Sequence, residues 1–440
     1  MRTFYTIIAT QIFSMIGSQI SGLVIGIYLY QSTGNATPLA LTAFFAMLPN
    51  LFAASIAGVV SDRFNRRYIM AFADLGQAVV TFFLFLSFAS GSFQVWHLYL
   101  ASFIQQLFGV FQNPAFSASV TMLVPPEQRD RANSLSQVTG PMAGIVAPAI
   151  AGVVYVLVGV PGAIVIDLLT FVVAFTVMLR LHIPQPQKTK AGTELSGTWQ
   201  QDLTAGFRYL WARQPLFWLA MFAASLNFLM VGIGTLTTPY ILARTSSEPL
   251  LGLVTSLMNV GMVIGAMCAS FLINSKRRVW SVIWTLVVAT LLIAAFGMSQ
   301  TPVALVAIGF FMLFPIPATN TAFMSFMQEK IAPDVQGRVF ALVGQIAMFL
   351  APLSTLIVGP LVDQVFEPAV GQAGWERVAP FVGSGPGAGI GLLIVIFGLG
   401  ATLVSIVAYA QPMIREAEYK LPSYDAKPAA VEVPESVAVA

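Results

Sequence analysis

The sequence predicts an all-α membrane protein with about twelve transmembrane helices arranged in two six-helix bundles. Of its 440 residues, 57% are hydrophobic and 9% are charged, and the mean hydropathy is +0.82, whereas ordinary globular chains carry roughly 25% charged residues. Apolar runs recur at near-regular intervals, and two stretches of the chain repeat each other. At roughly 20 residues per span, twelve spans and short loops use nearly the whole length and leave no room for a soluble catalytic domain.

Helices are predicted for these spans because they satisfy their own backbone hydrogen bonds in hydrocarbon, and the alternating polarity of a membrane barrel is absent. The spans run Phe4–Tyr30, Pro38–Val60, Tyr68–Ser90, Trp96–Val124, Asn133–Val158, Gly162–Leu181, Leu216–Leu242, Leu250–Ile273, Trp280–Met298, Pro302–Phe326, Val339–Val362 and Gly387–Ala410.

The positions of Lys and Arg predict the orientation. When these spans alternate, all but two of the 21 Lys and Arg residues fall on one side, and the exceptions are Arg244 and Arg377. Because Lys and Arg concentrate in cytoplasmic loops, we expect a multi-pass plasma-membrane protein with both termini in the cytoplasm. The net charge of +3 is therefore attributed to topology and lipid headgroups, and no nucleic-acid partner is expected.

Four segments are expected along the chain. Residues 1–182 form the N-terminal six-helix bundle, residues 216–410 form the C-terminal bundle, and residues 183–215 form a cytoplasmic linker between them. Leu203, Phe207, Leu210 and Trp211 recur in the linker at helical spacing, which predicts an amphipathic helix on the membrane surface. Residues 411–440 lack periodicity and are predicted to be a disordered cytoplasmic tail.

An internal repeat relates the two halves. Asn113-Pro-Ala-Phe116 in span four matches Asn320-Thr-Ala-Phe323 in span ten, and the loops that follow them, 126–131 and 333–338, fall in the same register. Since these loops are not apolar, chance similarity between hydrophobic segments does not explain the match. Two repeated bundles are typical of a transporter with its site between the halves.

The loop between spans two and three contains Gly58, Asp62, Arg63, Arg66 and Arg67. This spacing resembles the signature loop of the major facilitator superfamily. The resemblance implies a conformational latch, in which Asp62 and Arg66 help to hold the cytoplasmic side shut and release it during the cycle. A purely topogenic loop would explain the arginines but not Asp62. Further members of the expected latch, in the loops after spans four and ten, are Arg129, Arg131 and Arg338.

Other segments narrow the resemblance. Val124-Pro-Pro-Glu-Gln-Arg-Asp-Arg-Ala-Asn-Ser-Leu135, Ala73-Asp-Leu75 and Asp202-Leu-Thr-Ala-Gly-Phe-Arg-Tyr-Leu210 resemble the enterobactin-exporter and macrolide-efflux branch of that superfamily, over roughly residues 1–410. The resemblance implies a protein of the bacterial inner membrane, and proton-coupled export of an amphipathic small molecule such as a siderophore or a macrolide-like compound. The partners implied are this substrate, protons and the lipid bilayer, and a monomer is expected.

Span five carries small residues at helical spacing. Gly140-Pro141 and Gly144 resemble the antiporter motif of exporters, although Ile145 stands where a second glycine is usual. Gly144, Pro148 and Gly152 recur at every fourth place, which also predicts a smooth face for packing another helix. Both interpretations, antiport determinant and plain packing, stay open.

Asp74 and Asp167 are the two carboxylates placed inside spans. A charge at a span centre costs about 2.5–3.5 kcal/mol on insertion scales, so such a residue usually faces a cavity or a partner. Desolvation favours the protonated carboxyl, which is the property that a proton-coupling site needs. Asp74 lies within two turns of the inner end and Asp167 near the outer end, so snorkelling or a hydrogen bond to a neighbour is the alternative for each.

Family geometry places spans one, four, seven and ten around the substrate cavity. Buried amides and hydroxyls there can orient a substrate, or they can join helix to helix. The candidates are Gln11, Ser14, Ser18, Gln105, Gln112, Asn113, Asn227 and Asn320.

The sequence contains no Walker-type loop, no HExxH and no Gly-x-Ser-x-Gly, so neither an enzyme nor an ATP-driven pump is expected, and no cofactor or metal is assigned. Two alternatives to the exporter remain. One is a lysophospholipid flippase or nutrient importer of the same fold. The other is a membrane sensor without transport activity, which intact latch loops in both halves disfavour.

Overall fold

The computed structural model describes residues 2–124, 129–181, 211, 213–273, 277–331 and 336–421, and every regular element in these ranges is a helix. The predicted amphipathic helix of the linker lies outside them. The helices of the N-terminal half are α1 Arg2–Thr33, α2 Thr37–Arg63, α3 Arg66–Ala89, α4 Val95–Leu123 and α5 Arg129–Arg180.

Helix α5 consists of two antiparallel arms joined at Gly159. The φ of Gly159 is 63°, in the left-handed region that glycine adopts without steric cost. Leu135 from the first arm packs against the cluster that contains Phe4, and Met178 from the second arm belongs to the cluster that contains Ile7. Since both arms contact the first turns of α1 at their distant ends, the chain reverses at Gly159. The two arms correspond to the predicted spans five and six.

The C-terminal half contains more and shorter helices. They are α6 Gln214–Thr245, α7 Glu248–Leu272, α8 Arg278–Gly297, α9 Pro302–Leu313, α10 Ile316–Lys330, α11 Gln336–Phe349, α12 Ala351–Leu361, α13 Ala379–Val382, α14 Ala388–Ala410, α15 Pro412–Arg415 and α16 Ala417–Lys420. Span ten is split into α9 and α10 at Pro315, and span eleven into α11 and α12 before Pro352, because proline cannot donate the helical hydrogen bond.

The fold supports twelve crossings. Ten helices in the described part of the chain are long and apolar enough to cross a membrane by length and composition, and one of these ten holds both arms of α5. Helix α4 is not among the ten, but its 29 residues contain no Asp, Glu, Lys or Arg. The all-α membrane fold predicted from the sequence is confirmed.

The two ends of the bundle differ in their side chains. We call the end where α1 begins, and where Arg66, Arg67 and Arg278 lie, the basic end. The opposite end, where α1 finishes at Thr33, is the far end. Apolar clusters at the basic end contain residues of one half only, among the residues described. A cluster toward the far end joins Ile27 and Ala40 of the first half to residues of the second.

The internal repeat is visible in the packing. Asn113 and Asn320 are both exposed, whereas Ala115 and Ala322, two residues further on, are both completely buried. The matched segments of α4 and α10 therefore present the same face to their own half.

Two regions outside the predicted spans are folded. Within 363–386, Trp375 is buried and its indole N–H donates to the carbonyl of Gly383 at 2.9 Å. The prediction of a disordered tail from residue 411 is wrong for 412–421, where α15 and α16 bury Ile414 and Leu421 against the C-terminal half. Helices α15 and α16 leave no periodic pattern in the sequence because each has four residues, close to a single turn.

Candidate functional site

A cavity of about 480 Å³ lies inside the N-terminal half. Helices α1 to α4 and the second arm of α5 form most of its wall, and α6 of the other half contributes Thr235 and Thr238. Leucine, isoleucine and phenylalanine side chains make up much of the lining. The polar groups of the wall are Ser18, Ser21, Thr42, Gln77, Thr81, Ser102, Gln105, Gln106, Asp167, Thr235 and Thr238. Such a site suits an amphipathic molecule, because apolar walls accept its body while a few polar groups orient it.

Asp167 lies on this wall and is 3% exposed. One carboxylate oxygen accepts a hydrogen bond from Ser18 Oγ and the other from Ser21 Oγ, each at 2.9 Å. Ser18 and Ser21 share one face of α1 because they are three residues apart. Gly17 permits the close approach of α1 and α5, since a Cβ there would lie 2.4 Å from Thr170 Oγ1. Both oxygens of this carboxyl therefore accept a hydrogen bond from a neighbour, and a role of Asp167 in proton coupling stays a prediction.

A series of hydrogen bonds runs along the interface of α3 and α4. Gln105 Nε2 donates to Thr81 Oγ1 at 2.9 Å, and Gln77 Nε2 donates to Gln112 Oε1 at 3.0 Å. Gln112 Nε2 in turn donates to Asp74 Oδ1 at 2.7 Å. Gln77 and Gln105 line the cavity, so these bonds connect the cavity wall with Asp74.

Asp74 is the more isolated of the two buried carboxyls. It is 1% exposed, and its Oδ2 has no hydrogen-bond partner among the described residues. Asp74 lies roughly two turns (~12 Å) from the start of α3 at the basic end, and Asp167 lies roughly two turns from Gly159 at the far end. The two carboxyls therefore approach the middle of the bundle from opposite sides.

The predicted cavity residues divide into four groups. Ser18 and Gln105 line the cavity, while Gln112 bonds Asp74 behind the wall. Asn227 donates to the carbonyl of Ala223 one turn earlier on its own helix. The others are placed away from this wall: Gln11, with its Nε2 buried and unpartnered among the described residues, the buried Ser14, and the exposed Asn113 and Asn320.

Four polar residues of the cavity wall were not predicted from the sequence, namely Ser21, Gln77, Thr81 and Gln106. A signal for two of them was available: Asp74, Gln77 and Thr81 follow one another at intervals of three and four residues, which places them on one face of α3. A polar stripe on an otherwise apolar span indicates a wetted or hydrogen-bonded face.

The structure describes only part of the predicted latch. Arg67 donates to the carbonyls of Met178, at 3.3 Å, and Leu179, which ties the start of α3 to the end of α5. Arg66 is buried beside Asn65, whose side chain caps α3. The remaining side chains, those of Asp62, Arg63, Arg129, Arg131 and Arg338, and the surroundings of Gly58, lie outside the described residues. The latch stays a prediction.

The small residues of span five pack against α7 of the other half. A Cβ on Gly152 would lie 2.4 Å from the carbonyl oxygen of Glu248, and a Cβ on Gly252 would lie 2.2 Å from that of Pro148. Ser256 Oγ donates to the carbonyl of Ile145 at 2.8 Å. Gly140, Pro141 and Gly144 border a second cavity of about 570 Å³ at this interface. The stripe thus supplies a packing surface, and its role in the direction of transport stays a prediction.

Further polar contacts between the halves lie at the far end. Asp363, just after α12, accepts hydrogen bonds from the backbone N–H groups of Ala36 and Thr37 at 2.8 Å and from Thr37 Oγ1 at 2.5 Å. A carboxylate at the start of α2 also interacts favourably with the helix dipole.

A second polar group lies at the same end. Gln31 donates to Glu248 across the interface, and Tyr155 O–H donates to Gln31 Oε1 at 2.6 Å. Together with Asp363, these contacts join the halves at the far end.

Comparison with known proteins agrees with this architecture. The family model of the Major Facilitator Superfamily matches residues 7–355, and the chain belongs to that superfamily. Macrolide efflux protein A of Streptococcus pyogenes is 27% identical over 426 residues, covering 94% of this chain and 96% of that protein. The multidrug efflux pump Tap of Mycobacterium bovis (strain BCG / Pasteur 1173P2) is 27% identical over 345 residues, covering 76% and 80%.

Among solved structures, a bacterial homolog of the human lysosomal transporter Spinster, in an inward-facing and unoccupied conformation, superposes with a TM-score of 0.71 at 14% identity, covering 95% of this chain and 98% of that one. This likeness concerns the fold. The expected resemblance to the efflux branch is confirmed, and the protein is a multi-pass bacterial membrane transporter of the secondary type rather than an enzyme.

Proposed function

We propose that this protein exports an amphipathic small molecule, drug-like or siderophore-like, in exchange for protons by alternating access. The cavity in the N-terminal half carries the proposal, since it combines apolar walls, amide and hydroxyl groups and a buried carboxyl, Asp167. The names of the relatives, a macrolide efflux protein and a multidrug efflux pump, support export of this class of molecule.

The basic end is proposed to face the cytoplasm, because Lys and Arg concentrate on that side of a membrane. Contacts between the halves at Asp363 and Glu248 then close the external side. This arrangement corresponds to an inward-facing state, in which the substrate enters from the cytoplasm or the inner leaflet.

Asp74 is proposed as the principal coupling residue and Asp167 as the carboxyl nearest the substrate. Asp74 has one oxygen without a donor, and protonation removes the desolvation cost of a buried charge. Asp167 accepts two hydroxyl hydrogen bonds and lines the cavity. One carboxyl is thereby suited to exchanging a proton and the other to contacting a cationic or hydroxylated substrate.

The latch is proposed to close the cytoplasmic side in the other half of the cycle. The placement of Arg66 and Arg67 at the basic end, with Arg67 bonded to the last turn of α5, supports a role there. A monomer is proposed as the working unit, because both halves that the cavity needs belong to one chain.

Transport by purified protein in liposomes tests this function. The vesicles carry an imposed pH gradient, and the probes are a macrolide antibiotic, a siderophore, a cationic dye and a labelled lysophospholipid. We expect gradient-driven movement of at least one of the first three, and its loss in Asp74→Asn. The matched control is Glu376→Gln, which neutralises an exposed carboxylate outside the spans. Lysolipid movement without a gradient would favour the flippase, and movement of no probe would favour the sensor.

A further inference from the structure

Two glutamine side chains stand in series between Asp74 and the cavity. Gln112 donates to Asp74 Oδ1 at 2.7 Å, and Gln77 donates to Gln112 Oε1 at 3.0 Å. Gln77 itself forms part of the cavity wall. Gln112 therefore turns its nitrogen toward Asp74 and its oxygen toward Gln77, and the Gln77 nitrogen points back to Gln112.

This direction fits an ionised Asp74. A carboxylate offers only acceptors, so the neighbouring amide must turn its N–H toward it. Gln77 must then also donate, because the atom that Gln112 turns toward it is an oxygen, which only accepts. The second hydrogen of Gln77 Nε2 donates to the carbonyl of Ala73 at 3.2 Å. With its nitrogen occupied twice, Gln77 has only its oxygen left for the cavity.

Protonation of Asp74 reverses the requirement. The new O–H is a donor, and a buried donor without an acceptor is costly. Oδ2 has no partner among the described residues, whereas Gln112 lies within hydrogen-bond distance of the carboxyl. The O–H gains an acceptor when Gln112 turns its oxygen toward Asp74. Since amide oxygen and nitrogen are close in size, this half-turn changes hydrogen bonding without changing the packing.

We propose that Gln112 and Gln77 form an amide relay that converts the protonation of Asp74 into a change at the cavity wall, from hydrogen-bond acceptor to hydrogen-bond donor. In the ionised state Gln77 presents its carbonyl oxygen to the cavity. In the protonated state Asp74 O–H donates to Gln112 Oε1 and Gln112 Nε2 donates to Gln77 Oε1. Gln77 thereby gives up its bond to the carbonyl of Ala73 and presents its amino group to the cavity. The proton itself stays on Asp74.

The relay indicates a class of substrate, namely molecules with an N–H or O–H donor. This inference rests on the proposed exchange of substrate for protons. A substrate with an N–H or O–H donor is held by the Gln77 carbonyl while Asp74 is ionised. It meets a donor instead when Asp74 takes up a proton, and it is released. Asp167 offers a further acceptor on the same cavity. Proton uptake and release of a donor-bearing substrate are thus linked in the order that an exporter needs.

The protonation of Asp74 also depends on the charged groups of α3 and of the helices packed against it. Helix α4, which packs against α3, has His97 near its far end as its titratable group other than tyrosine. Helix α3 itself has Arg66 and Arg67 in its first turn. The second arm of α5 carries Asp167, which is held by Ser18 and Ser21, and Arg180. The first arm of α5 begins with Arg129, Asp130 and Arg131, and α2 ends with Asp62 and Arg63.

Infrared difference spectroscopy tests the relay without any substrate. The full-length protein in lipid nanodiscs carries ¹³C in its glutamine side-chain carbonyls, and spectra are recorded between neutral and acidic pH. We expect a protonated-carboxyl band to appear on acidification together with a shift of labelled glutamine carbonyls. Asp74→Asn should remove both signals, and Gln112→Met should remove the glutamine shift while keeping the carboxyl band.

The matched control is Gln105→Met, since Gln105 lines the same cavity but bonds Thr81 instead of the relay. Both signals should persist in this variant. A glutamine shift that survives in Gln112→Met overturns the relay, and so does a carboxyl band in wild type without any glutamine shift.

Two cationic probes test the substrate class. Ethidium carries amino donors, whereas tetraphenylphosphonium carries none. On acidification we expect the affinity for ethidium to fall about tenfold more than the affinity for tetraphenylphosphonium, as for one hydrogen bond. Gln112→Met should abolish the difference between the probes. Equal weakening of the two affinities in wild type contradicts the proposed substrate class. Absence of gradient-driven transport together with an intact infrared shift contradicts the proposed export function and leaves the relay supported.

Discussion

Among the described residues, the carboxyls buried inside spans lie in the N-terminal half, whereas the C-terminal half joins its helices through buried pairs of hydroxyls. In the first half, Asp74 and Asp167 are buried inside the spans. In the second half, Thr285 bonds Thr319 and Thr290 bonds Thr402, each pair at 2.8 Å. Among the described residues, the buried charge of the second half is Lys330, at the basic end beside Glu329.

This difference shows that two structurally repeated halves can carry different chemical groups. Hydroxyl pairs join helices at an average of about 0.6 kcal/mol each and cannot change charge near neutral pH. Carboxyls cost more to bury but can exchange protons. The helical repeat, visible in the equal burial of Ala115 and Ala322, therefore does not require equal chemistry. Among the described residues, the first half holds the carboxyls buried inside spans, and the second half adds Thr235 and Thr238 to the cavity wall.

The largest expected effect is a difference in efflux between a variant of Asp74 and a variant of a buried polar group in the second half. Asp74→Asn keeps the shape but removes the proton-binding group, so we expect gradient-driven efflux to fall about tenfold or more, equivalent to ~1.4 kcal/mol. Thr402→Val should leave efflux within about twofold, since the pair it breaks contributes little. Equal losses in the two variants would remove the distinction between the halves.

The next prediction concerns the surface where the halves meet. A Cβ on Gly252 would lie 2.2 Å from the backbone oxygen of Pro148, and overpacking costs about 1–3 kcal/mol. Gly252→Ala should therefore shift the protein away from the state closed at the far end.

Double electron–electron resonance between spin labels at Ser92 and Gln372, both exposed at the far end, measures this shift in a Cys268→Ser background. We expect longer distances in Gly252→Ala. Gly344→Ala is the control, because its Cβ meets nothing within 4 Å. An unchanged distance distribution in Gly252→Ala would show that α5 and α7 do not need this close approach.

The hydroxyls that hold Asp167 should matter more than those of the second half. Ser18→Ala with Ser21→Ala leaves both carboxylate oxygens without their donors, at a cost of about 1–3 kcal/mol for each. Thr290→Val should cost about 0.6 kcal/mol. Thermal unfolding in detergent at neutral pH compares them, and a double serine variant as stable as Thr290→Val would contradict the assignment.

A smaller effect is expected at Asp363. Asp363→Asn removes the charge from the cap at the start of α2 while keeping an acceptor for Ala36 or Thr37. A cap of this kind contributes about 0.5–2 kcal/mol. The Ser92–Gln372 distance should lengthen in part of the population. Retention of the wild-type distribution would mean that the contacts of Gly252 and Glu248 keep the far end closed without this cap.

The smallest effect is a local pH dependence in the second half. Burial raises the pKa of Glu367 above its usual 4.5, although the N–H of Ile390 and the charge of Arg244 partly oppose the shift. Because the folded state binds this proton more tightly, its stability is full below the unfolded pKa and falls as the pH rises through the raised value. Hydrogen exchange of residues 363–386 should show this loss, Glu367→Gln should flatten it, and Glu376→Gln should not.

The sequence alone determined the spans, the basic end, the repeat and the family. These features depend on local composition, because apolar runs must cross the bilayer and Lys and Arg must stay outside it. It also identified both buried carboxyls, since any ionisable residue inside a span stands out. It did not identify their partners, and it placed Gln112 in the cavity when that side chain bonds Asp74 behind the wall.

Only the tertiary structure decided those partnerships. Which faces meet depends on the rotation and depth of each helix, and these are set by close packing such as that of Gly17 on Thr170. The contacts of Asp363 with α2 and of Ser21 with Asp167 join residues far apart in the chain, so no local pattern indicates them. Hydropathy fixes which segments lie in the membrane, whereas side-chain packing fixes which side chains can exchange hydrogen bonds.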